Sequence, residues 1–264
     1  CCQTFLTDKA QFARAQADLS VSTITTNELS IRASSAGDLT AFAASAAERR
    51  DWRAVILSGA GDVFCAGGDL DWMRAQMQAD RSTRKAEARK LALMLRALNE
   101  LPQPLIGAIH GGAFGGGVGL ASVCDVVVAS DEARFGLTET RLGLIPATIG
   151  PYVLARIGEG RARRVFMSAR LFDSVEARDL GLVSCIVPRS DLAQAATHEA
   201  THYLATAPGA VAAAKALALR LGRSVDYAMI EASIEALADT WETNEARDGI
   251  AAFFARSPAP WVVR

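Results

Sequence analysis

The chain has 264 residues, of which 50% are hydrophobic and 22% are charged, and its net charge is -1. This composition fits one sizeable globular domain with an appendage. A net charge so close to zero gives no bulk attraction to nucleic acid or to an anionic membrane, so neither is an expected partner. No apolar run is long enough to cross a bilayer, and we expect no secretory signal because no basic segment followed by an apolar one opens the sequence.

The cysteines are spread widely over the sequence, at Cys1, Cys2, Cys65, Cys124 and Cys185. Their number is odd, and their spacing matches neither a zinc site nor a disulfide framework. The three histidines form no metal-ligand pattern either. We therefore expect no metal site and a reducing, cytoplasmic setting.

The first sixty residues predict a strand region, a helix and a buried strand. The loosely alternating segment LSVSTITTNELS, from position 19, predicts one or two strands. DLTAFAASAAERR, from position 38, predicts a short helix that is apolar on one side. The apolar run WRAVILSGAG, from Trp52, predicts a buried strand that ends at glycine.

Helices and strands alternate from position 83 to position 188. Leu91, Met94, Leu95 and Leu98 recur at helical spacing in a segment that Pro102 closes. Two apolar strands follow, PLIGAIH and CDVVVAS, separated by a glycine run and a brief helix. A helical stretch then precedes the strand LVSCIVP. Buried strands with helices between them predict an α/β architecture.

The composition changes near residue 190. From Asp191 the sequence is rich in alanine and predicts helices up to Ala255. We therefore divide the chain into a core of residues 1–190 and a C-terminal helical segment of residues 191–264. These helices carry more apolar surface than one layer can bury, so we expect the segment to join copies of the chain.

Two glycine loops follow predicted strands. The run HGGAFGGGVGLASVCD, from His110, lacks the Lys-Ser/Thr pair of a P-loop and the spacing of a dinucleotide fingerprint. It remains open whether this run is a backbone amide site for negative charge or only tight helix–strand packing. The loop GDVFCAGGDL follows the strand from Trp52 in the same way. Two such loops can each donate one amide to the same oxygen, which stabilises enolates and tetrahedral intermediates.

Three segments together resemble the enoyl-CoA hydratase/isomerase (crotonase) superfamily: FCAGGDL, GGAFGGGVGLASVCDVVVAS and ARFGLTETRLGLIPATIGPYVLARIG. The similarity runs from about Arg53 to Pro188 and resumes in DGIAAFFARSPAPWV. It implies an α/β fold with a crotonase-like ββα superhelix core and a C-terminal helical trimerisation segment, in a homotrimer or hexamer. The implied substrate is an acyl-CoA thioester. Coenzyme A is then part of the substrate, and no separate cofactor is expected.

The resemblance also implies site residues. The two amides of the oxyanion hole fall on Gly68 and Gly116, and the catalytic glutamate falls on Glu139, for which the alternative is an exposed loop carboxylate. The implied coenzyme A contacts are Ala66, Gly68, Asp69, Leu70 and Arg256. Asp69 is also expected to cap the next helix. Arg256 either offers a cation to the phosphates or is a solvated arginine at a helix end.

The sequence departs from the family at Gly119, where two-glutamate hydratases carry a second Glu. A single carboxylate suits isomerisation, in which one base moves a proton from C2 to C4. The longer patterns GGDLDWM and GLIPATIGPYV are nevertheless similar to one-glutamate hydratases of the methylglutaconyl-CoA type, in which this glycine leaves room for a branched substrate. We predict syn hydration of a 2-enoyl-CoA, with a methylglutaconyl-CoA-like chain as one candidate. The alternatives are an enoyl-CoA isomerase that uses Glu139 and a catalytically silent acyl-CoA binder.

Two further segments bear on binding. The family usually opens with an Asn-Arg-Pro and Asn-Ala stretch that helps to form the adenine pocket, and this chain offers only Asn27 and Arg32-Ala33 there. RNA binding through a basic helix has been attributed to one family relative, and the helix from Arg81 to Arg96 is basic on its exposed side. Because Glu87 is interleaved, we predict a solvated face and no nucleic-acid partner.

Overall fold

The computed structural model describes residues 19–24, 29–33, 35–49, 51–222 and 225–263, and Asn27 lies outside these ranges. The strands are β1 (Leu19–Ile24), β2 (Leu29–Ala33), β3 (Ala54–Gly59), β4 (Leu105–Ile109), β5 (Gly112–Phe114), β6 (Val126–Ser130), β7 (Arg134–Gly136), β8 (Leu171–Asp173) and β9 (Cys185–Val187). The α-helices are α1 (Ala36–Ala47), α2 (Leu70–Gln78), α3 (Arg81–Asn99), α4 (Gly116–Val123), α5 (Gly150–Ile157), α6 (Glu159–Phe166), α7 (Ser174–Leu180), α8 (Leu192–Thr201), α9 (Pro208–Leu221), α10 (Tyr227–Trp241) and α11 (Asn244–Ala255). A 3-10 helix, Glu139–Leu142, lies between β7 and α5.

The larger sheet has the strand order β2-β1-β3-β4-β6-β9. β1 is antiparallel to β2 and β3, and β3, β4, β6 and β9 are parallel to one another. In the register of β3 and β4, Val55 pairs with Leu105. The C-terminal ends of these two strands therefore lie side by side. The two glycine loops leave the sheet from those ends, which is where open α/β sheets place their ligands.

Helices cover both faces of this sheet. On one face, Leu57 of β3 is buried in the same cluster as Leu95 of α3. On the other face, Ile56 is buried with Leu192 and Ala196 of α8. This alternation is the reason that β3 is apolar and buried from Ala54 to Leu57. Because α8 packs directly on the sheet, the chain continues to build the core after residue 190.

A second, three-stranded sheet has the order β5-β7-β8. β5 lies inside the glycine run, which was predicted to lead straight into a helix, and it pairs in parallel with β7. Glycine is unfavourable in strands, so sequence pattern alone does not indicate β5. The helical stretch after Pro151 is also interrupted, because Gly158 has a φ of 78° and separates α5 from α6.

Ion pairs connect α10 to α3. The pairs are Arg81 with Glu235, Asp239 and Glu242, Lys85 with Glu235, and Arg89 with Glu231. The basic side of α3 that was predicted to be solvated is therefore partly covered by acidic side chains of the same chain. This pairing reduces the positive charge that a nucleic acid would need at this surface.

Among the described helices, no single one is both long and apolar enough to span a membrane. By length and composition alone, Arg189–Ala205 and Pro208–Leu221 would qualify only as a pair, with a bend of 109° between them.

Candidate active site

The two glycine loops are joined by backbone hydrogen bonds just beyond the ends of β3 and β4. The amide of Cys65 donates to the carbonyl of Gly112 at 3.0 Å, and the amide of Phe114 donates to the carbonyl of Cys65 at 2.9 Å. These bonds hold the first loop along β5. Gly68 and Gly116 each follow this bonded pair by two or three residues, so the structure brings the two predicted amide positions into one region.

The backbone is accessible at both Gly68 and Gly116. A Cβ atom built on either residue would meet no atom within 4 Å. Gly116 is the first residue of α4, so its amide is one of the N-terminal amides that have no partner within the helix. Gly115, which precedes it, has a φ of 49°, a conformation that favours glycine. Binding of one oxygen by both amides stays a prediction.

The carboxyl group of Glu139 is buried at the start of α4. A Cβ atom on Gly115 would lie 3.0 Å from Oε1 of Glu139, so a side chain at that position would crowd the carboxylate. Oε2 is buried and has no hydrogen-bond partner among the described residues. Burial raises the pKa of Glu139 to about 7, against the opposing effect of a hydrogen bond from its own backbone. The alternative of an exposed loop carboxylate is wrong.

Gly119 faces a side chain of the protein. A Cβ atom on Gly119 would lie 2.9 Å from Cβ of Ile149 and 3.6 Å from Cδ1 of Leu95. Ile149 is itself buried. The expectation that the glycine leaves room for a branched substrate is therefore wrong, because Ile149 occupies that space. Sequence reasoning missed Ile149, which makes this side of α4 apolar.

The residues predicted to contact coenzyme A lie in two parts of the fold. Ala66, Asp69 and Leu70 lie in the first glycine loop and at its junction with α2. The carboxylate of Asp69 accepts hydrogen bonds from two amides in the first turn of α2, at 2.6 and 2.9 Å, which confirms the predicted cap. Arg256 is exposed at the end of α11 and has a φ of 54°. Its contact with a phosphate stays a prediction.

His110, which precedes the glycine run, has a structural environment. Its Nε2 lies 2.9 Å from the carbonyl oxygen of Gly61, and burial lowers its pKa. Within the described ranges, no group of three or more His, Cys, Asp or Glu side chains has an arrangement that could hold a metal ion.

The C-terminal helix α11 packs against the segment that carries Glu139. Leu142, at the end of the 3-10 helix of Glu139, and the buried Leu144 belong to an apolar cluster with Trp241 and Ile250. The sequence does not reveal this contact, because its two sides are far apart along the chain and each has only an ordinary helical pattern. The segment that carries the acid therefore packs on α11, and its carboxyl group lies at the start of α4.

Together these features make a site for proton transfer beside a site for negative charge. A carboxyl group with a pKa of about 7 accepts and donates protons at neutral pH. Amides at the N-terminus of a helix favour a negative oxygen. The amide of Gly116 can stabilise a negative charge while Glu139 moves a proton.

Comparisons with known proteins show the family of this chain. The model of the enoyl-CoA hydratase/isomerase family matches residues 20–264. A putative enoyl-CoA hydratase of Thermus thermophilus is 32% identical over 78% of this chain and 81% of its own length. The mitochondrial methylglutaconyl-CoA hydratase of Homo sapiens is 36% identical over 77% of this chain, which spans 61% of that protein.

Solved structures show the same fold. A putative enoyl-CoA hydratase from Mycobacterium avium paratuberculosis aligns with a TM-score of 0.75 and 28% identity, over 86% of this chain and 87% of its own. Pseudomonas aeruginosa AtuE aligns with a TM-score of 0.69 and 35% identity, over 86% and 88%.

We expect Glu139 to destabilise the folded protein as the pH rises. Its pKa is about 7 in the folded state and about 4.3 in an unfolded chain. The folded state therefore binds the proton more tightly, and the stability that this binding gives is complete below about pH 4 and is lost as the pH rises through 7. Glu139→Gln should be more stable than the wild type by about 3 to 4 kcal/mol at pH 8 and by almost nothing near pH 4.

Urea unfolding at the two pH values measures this difference. Glu48→Gln, at an exposed glutamate, is the matched control for the exchange of a glutamate for a glutamine. A difference for Glu139→Gln that is the same at both pH values would contradict the burial of this carboxylate.

Proposed function

Because the chain belongs to the enoyl-CoA hydratase/isomerase family, we propose that it hydrates a 2-enoyl-CoA with Glu139 as its acid and base. The observation that carries this proposal is the buried carboxyl group of Glu139, which lies against the N-terminus of α4 and has a pKa of about 7. The accessible backbone at Gly68 and Gly116 supports an oxyanion hole formed by their two amides.

In the proposed mechanism, the carboxylate of Glu139 takes a proton from a water molecule whose oxygen bonds to C3 of the enoyl chain. The electron pair of the C2–C3 double bond moves into the thioester and gives an enolate. The amides of Gly68 and Gly116 hold the negative oxygen of this enolate. The carboxylic acid of Glu139 then donates its proton to C2, and the thioester carbonyl reforms. One carboxyl group completes both proton transfers because its pKa is close to neutral pH.

For the acyl chain, we propose a methylglutaconyl-CoA-like substrate. A relative with 36% identity is named a methylglutaconyl-CoA hydratase, which supports a branched chain. We also propose that Ala66, Asp69 and Leu70 contact coenzyme A beside the first glycine loop, and that Arg256 contacts its phosphates.

Isomerisation is the second candidate, and Ile149 favours it. The apolar side chain of Ile149 lies where a second carboxylate at position 119 would begin, so it offers no polar group to hold a water molecule. One base that moves a proton from C2 of a 3-enoyl-CoA to C4 would need no water. The shared step, formation of a thioester enolate, uses Glu139 and the two glycines in the same way.

An assay in water enriched in oxygen-18 distinguishes these reactions. We expect crotonyl-CoA or a methylglutaconyl-CoA-like thioester to give a 3-hydroxyacyl product that carries one labelled oxygen. Glu139→Gln should lower kcat by about 100- to 10,000-fold and should leave acyl-CoA binding nearly unchanged, because the amide keeps the shape of the acid. Mass spectrometry measures the label, and calorimetry measures binding.

Glu48→Gln, at an exposed glutamate, serves as the control and should keep full activity. A different result would favour isomerisation over hydration as the function. In that result, a 3-enoyl-CoA is converted to its 2-enoyl isomer without label, and neither crotonyl-CoA nor the methylglutaconyl-CoA-like thioester is hydrated. Binding of all three thioesters without conversion would indicate a silent acyl-CoA binder.

Gly119 and Ile149 should behave as a coupled pair. Gly115 immediately precedes α4 and Gly119 lies four residues later, so a carboxylate at position 119 would come close to Glu139 if Ile149 did not block it. Gly119→Glu alone should therefore fold poorly. Gly119→Glu combined with Ile149→Gly should fold, and its second carboxylate should raise one of the two pKa values and favour crotonyl-CoA over a branched enoyl-CoA.

The measurement is the ratio of kcat/KM for crotonyl-CoA to that for the branched thioester. Ile149→Gly alone is the control, because it opens the space without adding an acid. If the double variant and this control give the same ratio, a side chain at position 119 does not reach the substrate.

We also propose that α9 contacts another copy of the chain in a trimer or a hexamer. No residue of α9 is buried within the chain. Large apolar side chains on α9 and at the start of α10 are exposed, namely Leu217, Leu221, Tyr227 and Met229. A surface of this kind fits an interface between subunits. Sedimentation at micromolar concentration should give a trimer or a hexamer, and a monomer would contradict the proposal.

A further inference from the structure

The helix α11 and the 3-10 helix that carries Glu139 meet backbone to backbone. A Cβ atom on Gly249 would lie 2.6 Å from the carbonyl carbon of Leu142 and 2.7 Å from its oxygen. Gly143 has a φ of 70°, and a Cβ atom there would lie 2.6 Å from the amide nitrogen of Ala246. One glycine on each segment therefore allows an approach that any side chain would prevent.

This contact lies next to the bonds that fix the turn of Glu139. The amide of Gly143 donates to the carbonyl of Thr140 at 3.3 Å, and the amide of Leu144 donates to the carbonyl of Glu139 at 3.1 Å. These bonds close the single turn that begins with Glu139. A displacement of Leu142 or Gly143 would therefore move the backbone of the acid.

Apolar packing holds α11 in this position. Ala246 and Ile250 of α11 are buried in one cluster with Leu144 and Trp241. Trp261 packs against Gly249 as well, since its Cη2 atom would lie 2.7 Å from a Cβ atom there. The contact is thus supported both by the core cluster and by the last described segment of the chain.

We propose that Gly143 and Gly249 are positioning residues, through which α11 sets the place of the Glu139 carboxylate. This inference rests on the proposed acid and base role of Glu139. In this proposal, α11 positions a residue in the active site of its own chain. This role is separate from the proposed contact of the C-terminal segment with other copies of the chain.

The variant Gly249→Ala tests the proposal. The added methyl group would push on the backbone of Leu142, and a misplacement of about 1 Å can cost about 100-fold in rate. We expect kcat to fall by about 10- to 100-fold and KM for the thioester to change by less than about threefold, because Gly68 and Gly116 are not touched. The pH at half-maximal kcat/KM should decrease, since a displaced carboxylate gains water and its pKa falls towards the ordinary value.

Gly160→Ala is the matched control. Gly160 lies in α6, where a Cβ atom would meet nothing within 4 Å, and this variant should keep the kcat and the pH profile of the wild type. A merely structural role of Gly249 would lower the amount of active protein without moving the midpoint of the pH profile. That result, or an unchanged kcat in folded Gly249→Ala, would overturn the proposal.

A second variant covers the case in which Gly249→Ala does not fold. Trp261→Ala removes the support on Gly249 without pushing on Leu142. It should lower kcat by a smaller factor and should move the midpoint of the pH profile in the same direction. An unchanged midpoint in this variant would overturn the proposal.

Hydrogen exchange without substrate separates this proposal from the proposed function. The amides of Gly143 and Leu144 should exchange faster in Gly249→Ala than in Gly160→Ala, because the turn they close is disturbed. Faster exchange would support the proposal that α11 constrains this turn, even if no enoyl-CoA is converted. Equal exchange in the two variants overturns it.

Discussion

The close approach of the Glu139 carboxyl group to the backbone of Gly115 is the constraint on which the site depends. Burial raises the pKa of this acid to about 7, which makes it useful for proton transfer and unfavourable for folding at neutral pH. A Cβ atom at position 115 would lie only 3.0 Å from Oε1, and the φ of 49° at this position also favours glycine. The glycine at position 115 is thus explained by the acid that packs on it and by its own backbone conformation.

Several features of the fold place Glu139 in the same region as the two accessible glycines, Gly68 and Gly116. β3 and β4 are parallel neighbours, so the loops that follow them start together at one edge of the sheet. Hydrogen bonds between Cys65 and β5 then hold the first loop against the second. From the other direction, α11 packs on the turn of Glu139. The chain belongs to the enoyl-CoA hydratase/isomerase family.

The sequence predicts those features that depend on local pattern. The buried strands before Gly61 and Gly111, the helical spacing in α3 and the cap at Asp69 each follow from neighbouring residues, and the resemblance to a family supplied Glu139. Other features depend on contacts between distant segments. Ile149 fills the space beside Gly119, and Gly249 contacts Leu142. Neither contact is indicated by the neighbouring sequence, because each glycine makes room for a residue elsewhere in the chain.

The most direct test of this account is a titration of the Glu139 carboxyl group itself. NMR of the protein labelled with carbon-13 at the glutamate carboxyl groups, with Glu139→Gln used to assign the signal, measures its pKa without any substrate. The account predicts a midpoint of about 7, because the carboxylate is buried and Oε2 has no partner among the described residues. A midpoint near the ordinary value of about 4.3 would show a solvated carboxylate and would contradict the account.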